Sequence, residues 1–280
     1  MEYDSINLPV RMSAGQCFAI SFEHELARKG DLRINKVKAV LEIADVFEDH
    51  YIGLWTYTAL ESDGEKITAY HEGASDILLG IPVHYRAALD GRVERLIDKD
   101  DYLIRVLASD YFDCLDQERK SKVFDLMYDM TDSGLAQHSL KVPSILSLCQ
   151  DTSLVPGELI RSEYETQSTF GNGTIPTYVT LLSKGPCKET GQVMIEYTNE
   201  ADPEGLSKIV LDFLIRSSPE TEFSKSDMKK IKAVQQTQHC KSWIDVDTGI
   251  ARKAIFEKII DLPGNPPRLD RYTIVVDPSA

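Results

Sequence analysis

No stretch of this chain has the roughly 18 to 20 consecutive apolar residues that a bilayer crossing needs, which excludes a membrane-spanning helix. Basic charge is scarce too. Lys and Arg number 31 against 45 Asp and Glu, a formal net charge of −14, which argues against a protein that neutralises nucleic-acid phosphates along a basic stripe. The densest basic run, KSDMKKIK at 225–232, is short and diluted by Asp227, so it reads as a solvated face. The chain also lacks GxGxxG before a helix, GxxxxGK[ST], HExxH and GxSxG, the motifs of dinucleotide, nucleoside triphosphate, zinc-protease and nucleophile-elbow chemistry. FGNGTIP at 170–176 has two glycines but no following helix to offer amides to a phosphate, and it reads as a turn.

Cysteine is sparse and unclustered. Cys17, Cys114, Cys149, Cys187 and Cys240 form no CxxC, which sets aside zinc, iron–sulfur and thioredoxin-like sites. Cys114 and Cys149 share the central helical segment and suit one bridge; Cys187 and Cys240 each precede a strand-like run and suit a second. Two disulfides and a spare thiol fit an exported protein, and five reduced cysteines acting as small hydrophobes fit a cytosolic one. Residues 1–15 lack the basic start, apolar middle and cleavage site of a signal peptide, leaving a cytosolic protein or an exported one whose leader is not in this chain. Six histidines are scattered, with no second ligand at fixed spacing. His24 alternates away from Glu23 and Glu25, and His71 with Glu72 lies near a glycine where a loop ligand could stand.

What the chain does have is turn dipeptides between alternating runs. Asp63-Gly64, Asp90-Gly91 and Thr190-Gly191 each sit beside period-two patterning, the signature of tight hairpins. WIDVDTGIARKAIFEKII at 243–260 belongs with them. Trp243, Asp245 and Asp247 alternate with Ile244 and Val246, so the two aspartates lie on one strand face approaching a turn at Gly249. A calcium loop would need an oxygen ligand at Gly249 and a later glutamate at a fixed distance, and neither condition is met. Turn chemistry accounts for every residue there.

Helical spacing takes over between the β-rich parts. Leu103, Val106, Leu107 and Leu115 follow it from Lys99 to Gln117, then Val123, Phe124, Met127 and Met130. Gly134 is expected to break that pattern, with a further helix over 134–151 kinked or restarted at Pro143. Asp98, Asp100 and Asp101 are expected to cap the first of these helices. Asp202, Pro203 and the stripe Leu206, Ile209, Val210, Phe213, Leu214 predict a helix near 203–216. The segment 224–242 suits a short helix or a long strand, and we assign it to strand.

The fold class is therefore α+β, a curved antiparallel sheet with a central helical insert and a later helix. We expect one domain over 16–280: N-terminal hairpins at 16–98, the insert at 99–150 and a C-terminal β-rich part at 151–280, behind a structureless lead-in at 1–15.

The strands ending in LDGRV and VDTGI, the helices interrupting the sheet, and the closing strand RLDRYTIVVD together resemble bacterial envelope proteins of the LolA/LolB-like group. The resemblance spans 16–277 as a pattern of elements, matches no diagnostic motif and carries over no residue. It implies an antiparallel half-barrel wrapped around helices, an enclosed apolar cavity, a periplasmic location and non-catalytic binding of acyl chains or another apolar ligand. The helical segment at 99–150 is larger than a minimal lipoprotein carrier needs. Three readings follow: a binder of a hydrophobic, lipid-like molecule or an envelope partner in a sheet/helix groove; a structural or interaction module of an envelope assembly; and an enzyme whose site is assembled from distant residues, for which Cys17, His71 and Asp245 are the candidates. No catalytic, cofactor or metal residue is assigned, and neither a nucleic-acid partner nor a cofactor is expected.

Overall fold

The computed structural model describes residues 5–8, 10–28, 30–71, 74, 77–167, 174–187, 189–217 and 223–277. Its elements run β1 (Ile6–Asn7), β2 (Cys17–Arg28), β3 (Asp31–Val46), β4 (His50–Ser62), β5 (Glu65–Ile67), β6 (Val83–Ala88), β7 (Val93–Leu96), α1 (Lys99–Ala108), α2 (Gln117–Asp129), α3 (Asp132–Ser139), α4 (Lys141–Ser147), β8 (Ser153–Leu154), β9 (Leu159–Gln167), β10 (Thr174–Cys187), β11 (Gln192–Ala201), α5 (Pro203–Ser217), α6 (Lys225–Lys232), β12 (Gln235–Asp245), β13 (Ala251–Asp261) and β14 (Arg268–Asp277). The architecture is a large, curved, open antiparallel sheet with helices on one face. Its strands lie in the order β7-β6-β4-β3-β2-β14-β13-β12-β11-β10-β9, with β5 on β4.

Alternation explains the two faces. Phe18, Ile20 and Phe22 of β2, Val37 and Ala39 of β3, Trp55 of β4 and Ile274 of β14 are buried beneath the insert, in one core with Tyr102, Leu103, Leu135, Leu140 and Ile145 of the helices. On the other face Glu23, Lys36, Glu61 and Lys66 stand opposite one another across β2, β3, β4 and β5. That alternating ladder keeps the outer face in water. A second core lies farther along the inner face, where Ile175, Ala201 and Val234 pack under Leu206 and Val210 of α5 and Ile231 of α6.

The dipeptides read as hairpins connect β4 to β5, β6 to β7, and β10 to β11. Several details differ from the sequence reading. The first helix ends at Ala108, because Ser109 turns extended and its hydroxyl accepts from the Tyr111 amide of a 3-10 turn at 110–112. Gly134 breaks nothing. It lies in the first turn of α3, with its amide held by the Thr131 hydroxyl at 3.0 Å, and the break falls at Met130. Asp98 occupies the N-cap position of α1 at φ 54° without a side-chain cap bond, so only Asp100 and Asp101 meet the dipole as expected.

Residues 224–242 are not one strand. Ser224 and Asp227 form a reciprocal capping box that starts α6, and β12 follows only from Gln235. The lead-in is also anchored: β1 pairs with β8, and Leu8 is buried in the main core. Residues 170–173 of the glycine-rich turn and Glu72 beside His71 lie outside the described residues.

Candidate functional site

The paired aspartates are turn chemistry. Asp245 ends β12, and its Oδ1 accepts from the Asp247 amide (3.1 Å), the Thr248 amide (3.0 Å) and the Thr248 hydroxyl (3.0 Å). Its Oδ2 meets Arg252 at 3.1 Å. Burial opposes its charge, but these donors outweigh it and hold its carboxyl below the ordinary range. Gly249 takes φ 68° and donates to the Asp245 carbonyl, closing the β12–β13 hairpin.

The three candidate residues of the enzyme reading are not brought together. β14 and β13 stand between β2, which Cys17 opens, and β12, which Asp245 closes. His71 lies in the loop after β5. Among the described residues, no three His, Cys, Asp or Glu side chains converge as a metal site.

All five cysteines are free thiols. Cys114 does not bridge to Cys149, nor Cys187 to Cys240. Cys114 is exposed, near the Tyr70 and Tyr111 carbonyls, and Cys187 is exposed before the β10–β11 turn. Cys149, just past α4, is buried against Cys240 of β12, and the Cys240 thiol and then burial push the Cys149 thiol up.

Directly beneath the insert the core leaves only small voids, one of them about 100 Å³ among Tyr70, Leu78, Met127, Met130 and His138 under α2. A void of about 30 Å³ lined by Phe18, Tyr51, Tyr85, Leu146 and Ile250 has room for a water or two, not for an acyl chain. A recess of about 700 Å³ at the start of α1 is polar, lined by Arg95, Asp98, Asp100, Asp101 and Asp132. There Lys99 is committed to the carbonyls of Tyr128 and Met130, where a cation meets the C-terminal dipole of α2.

The inner face at the edge of the main core, toward the second, is different. One row there runs Leu181, Tyr197, Cys240, Phe256, Tyr272 and His24, of which Cys240, Phe256 and Tyr272 belong to the main core. The next runs Val179, Asn199, Gln238, Lys258 and Asp270, and is mostly polar. At the β9–β11 end, Ile160, Leu181 and Tyr197 are only partly buried and Tyr164 is 56% exposed. At the β14 end, charges converge. Asp270 accepts from Lys141 at the start of α4 (2.7 Å) and pairs with His24 Nε2 (2.8 Å). The His24 ring stacks on Tyr272 at 4.2 Å, and the Lys141 ammonium lies 4.6 Å above the same ring. Burial would raise Asp270, but its bonds to His24 and Lys141 bring it well below the carboxylate range. Lys258, cross-strand from Asp270, is half-buried and lowered to about 8, chiefly by that burial and then by Lys141.

His24 thus faces away from Glu23 and Glu25, as alternation required. Lys141, Lys258 and Asp270 escaped the sequence reading. The signal was present: Asp270 and Lys258 occupy the same parity as Tyr272, Ile274, Phe256 and Ile260, all buried.

Comparison with protein-family models and with curated proteins gives no match. Among solved structures, the chain is similar to one titled "Lipid-protein interactions in lipovitellin", with a TM-score of 0.46 and 12% identity over 95% of this chain and 25% of that one. The chain thus spans a quarter of that chain's length, and at this score the likeness carries no functional argument. No helix among the described residues is long and apolar enough to cross a membrane.

Proposed function

We propose that the protein is a non-catalytic binder of an apolar or amphiphilic molecule, held in the sheet/helix groove between the two helical covers. The observation behind this reading is the apolar strip Ile160, Leu181 and Tyr197 with Tyr164, left partly open on the inner face of an otherwise packed sheet and continuing into a polar band. Buried apolar area supplies the driving force, at about 25 cal/mol per Å² removed from water. In this reading residues 16–280 act as one unit, because a single sheet carries both cores. The resemblance to the LolA/LolB-like group supplies the compartment, an export to the periplasm.

Native mass spectrometry of protein purified without detergent tests the binding: a co-purified lipid-sized adduct supports it. Absence of an adduct, together with no enhancement of dansyl-undecanoate fluorescence on titration, removes it.

A second reading, an interaction module of an envelope assembly, is favoured by a separate feature. Ile104 and Leu107 of α1 and Leu126 of α2, two helices in contact, are about 60% exposed. Light scattering after size exclusion supports it if an obligate oligomer elutes and Ile104→Lys dissociates it.

A further inference from the structure

Lys258 and Arg268 have no hydrogen-bond or ion-pair partner among the described residues, although a carboxylate stands directly across from Lys258. Asp270 is already used on both oxygens, Oδ1 by His24 and Oδ2 by Lys141. Lys141 and Arg268 both act on Lys258 around a single carboxylate, and Arg28 acts in turn on Arg268. This happens in a chain whose formal charge is −14. An unpaired, half-buried ammonium facing other cations is costly to hold, and a methionine or leucine at 258 would fill the same inner-face position without that cost.

We infer that Lys258 and Arg268, with Lys141 behind them, form a binding site for an anionic head group, a carboxylate or phosphate, whose apolar tail lies along the strip toward Tyr197 and Tyr164. Register makes the pair geometrically able to do so. Lys258 faces Asp270 and Arg268 faces Ile260, so Lys258 and Arg268 are diagonal neighbours on one face, roughly 7 to 8 Å apart at their backbones. Their long side chains can meet on one anion, with the guanidinium offering a fork and the ammonium a point charge. Asp270 keeps Lys141 and His24 fixed while leaving the outer two cations available. The band between the cores is polar where the head group would rest, through Asn199 and Gln238, and apolar beyond it.

This inference rests on the groove reading for the tail but not for the head, and the test separates the two. Dansyl-undecanoate and its neutral methyl ester are titrated by fluorescence, and inorganic phosphate by calorimetry, against the full chain and its Lys258→Met and Arg268→Gln variants. The acid should bind at least ten-fold more tightly than the ester, and each variant should bring the acid down to the ester's affinity while leaving the ester unchanged. Equal binding of acid and ester by the unaltered protein overturns the head-group site and leaves the groove standing. Binding of phosphate, lost in both variants, with neither dansyl compound bound overturns the groove and keeps the anion site. No binding of any of the three overturns both. Lys258→Met replaces a half-buried charge with an apolar side chain of similar length, so loss of fold does not confound the result.

Discussion

Tyr85 lies against the backbone of Gly53, so closely that a methyl group built on residue 53 would stand 2.4 Å from the ring Cζ and 2.6 Å from Cε1. The two residues are cross-strand partners in β4 and β6, and Tyr85 is fully buried. The space a side chain would take at 53 is where the ring goes. Gly53→Ala should therefore destabilise by about 1–3 kcal/mol through overpacking, read as a lowered denaturant midpoint at unchanged slope. Gly53→Ala with Tyr85→Leu should cost less than the two single changes summed, since the double variant removes the collision. Strict additivity would show that the ring does not set the requirement for glycine.

Lys258 gives a pH signature of the opposite sign to a salt-bridged lysine. Its folded-state value of about 8 lies below the ordinary 10.5, with Lys141 from α4 and Arg268 and Asp270 from β14 as the charges facing it. Between those two values the unfolded chain binds the proton that the folded chain has released, so stability rises with pH. Relative to Lys258→Met, the unaltered protein should gain on the order of 2 kcal/mol from pH 7.5 to pH 10.5. Paired urea titrations at the two pH values check this, and a flat difference would mean that Lys258 stays charged in the fold.

Asp245 should behave as a turn residue and not as a ligand. Its folded value is depressed, so its contribution is present at neutral pH and is lost as pH falls below the carboxylate range. Asp245→Ala removes three accepted hydrogen bonds and the Arg252 pair, and should cost about 1–2 kcal/mol. Asp247→Ala should stay within about 0.5 kcal/mol, as surface changes do. Thermal unfolding midpoints should be the same with millimolar calcium as with EDTA; a rise of several degrees with calcium would restore the metal reading.

The cysteines divide by accessibility. Iodoacetamide should modify Cys187 first, because the Thr190 hydroxyl and the neighbouring amides stabilise its thiolate. Exposed Cys114 should follow, and buried Cys149 and Cys240 should react only in denaturant. Mass mapping of the alkylated peptides over time reads the order. A mass deficit of two hydrogens in unreduced protein from its native source would instead reveal a bridge.

How far the sequence could be read follows from which interactions are local. Asp63-Gly64, Asp90-Gly91 and Thr190-Gly191 announce hairpins because the turn geometry resides in the dipeptide itself. The helix at Pro203 was equally legible, since Asp202 caps it from one residue away and accepts from the Gly205 amide. The start of α6 was legible in principle, through Ser224 and Asp227 three residues apart, but KIKAVQQTQ runs on into β12 without punctuation and hides the change of period. The cluster around Asp270 was not. His24 comes to it across 246 residues by the pairing of β2 with β14, and Lys141 across 129 by the docking of α4 on the sheet, and no local pattern encodes either. Parity alone could have flagged Lys258 and Asp270, as charges at positions where their strands otherwise turn apolar side chains inward.

The place of β14 shapes how this molecule is made. It lies between β2 and β13, so the hairpins built from residues near 17–96 and those built from residues near 159–261 share no direct strand pairing until 268–277 arrive. On the ribosome, each half-sheet would wait with a raw edge exposed, and the strand that seals both is the last of the described strands to be synthesised. Assembly of the sheet is thus gated by a single late insertion, and the same ten residues that supply Asp270 act as the keystone between the two wings.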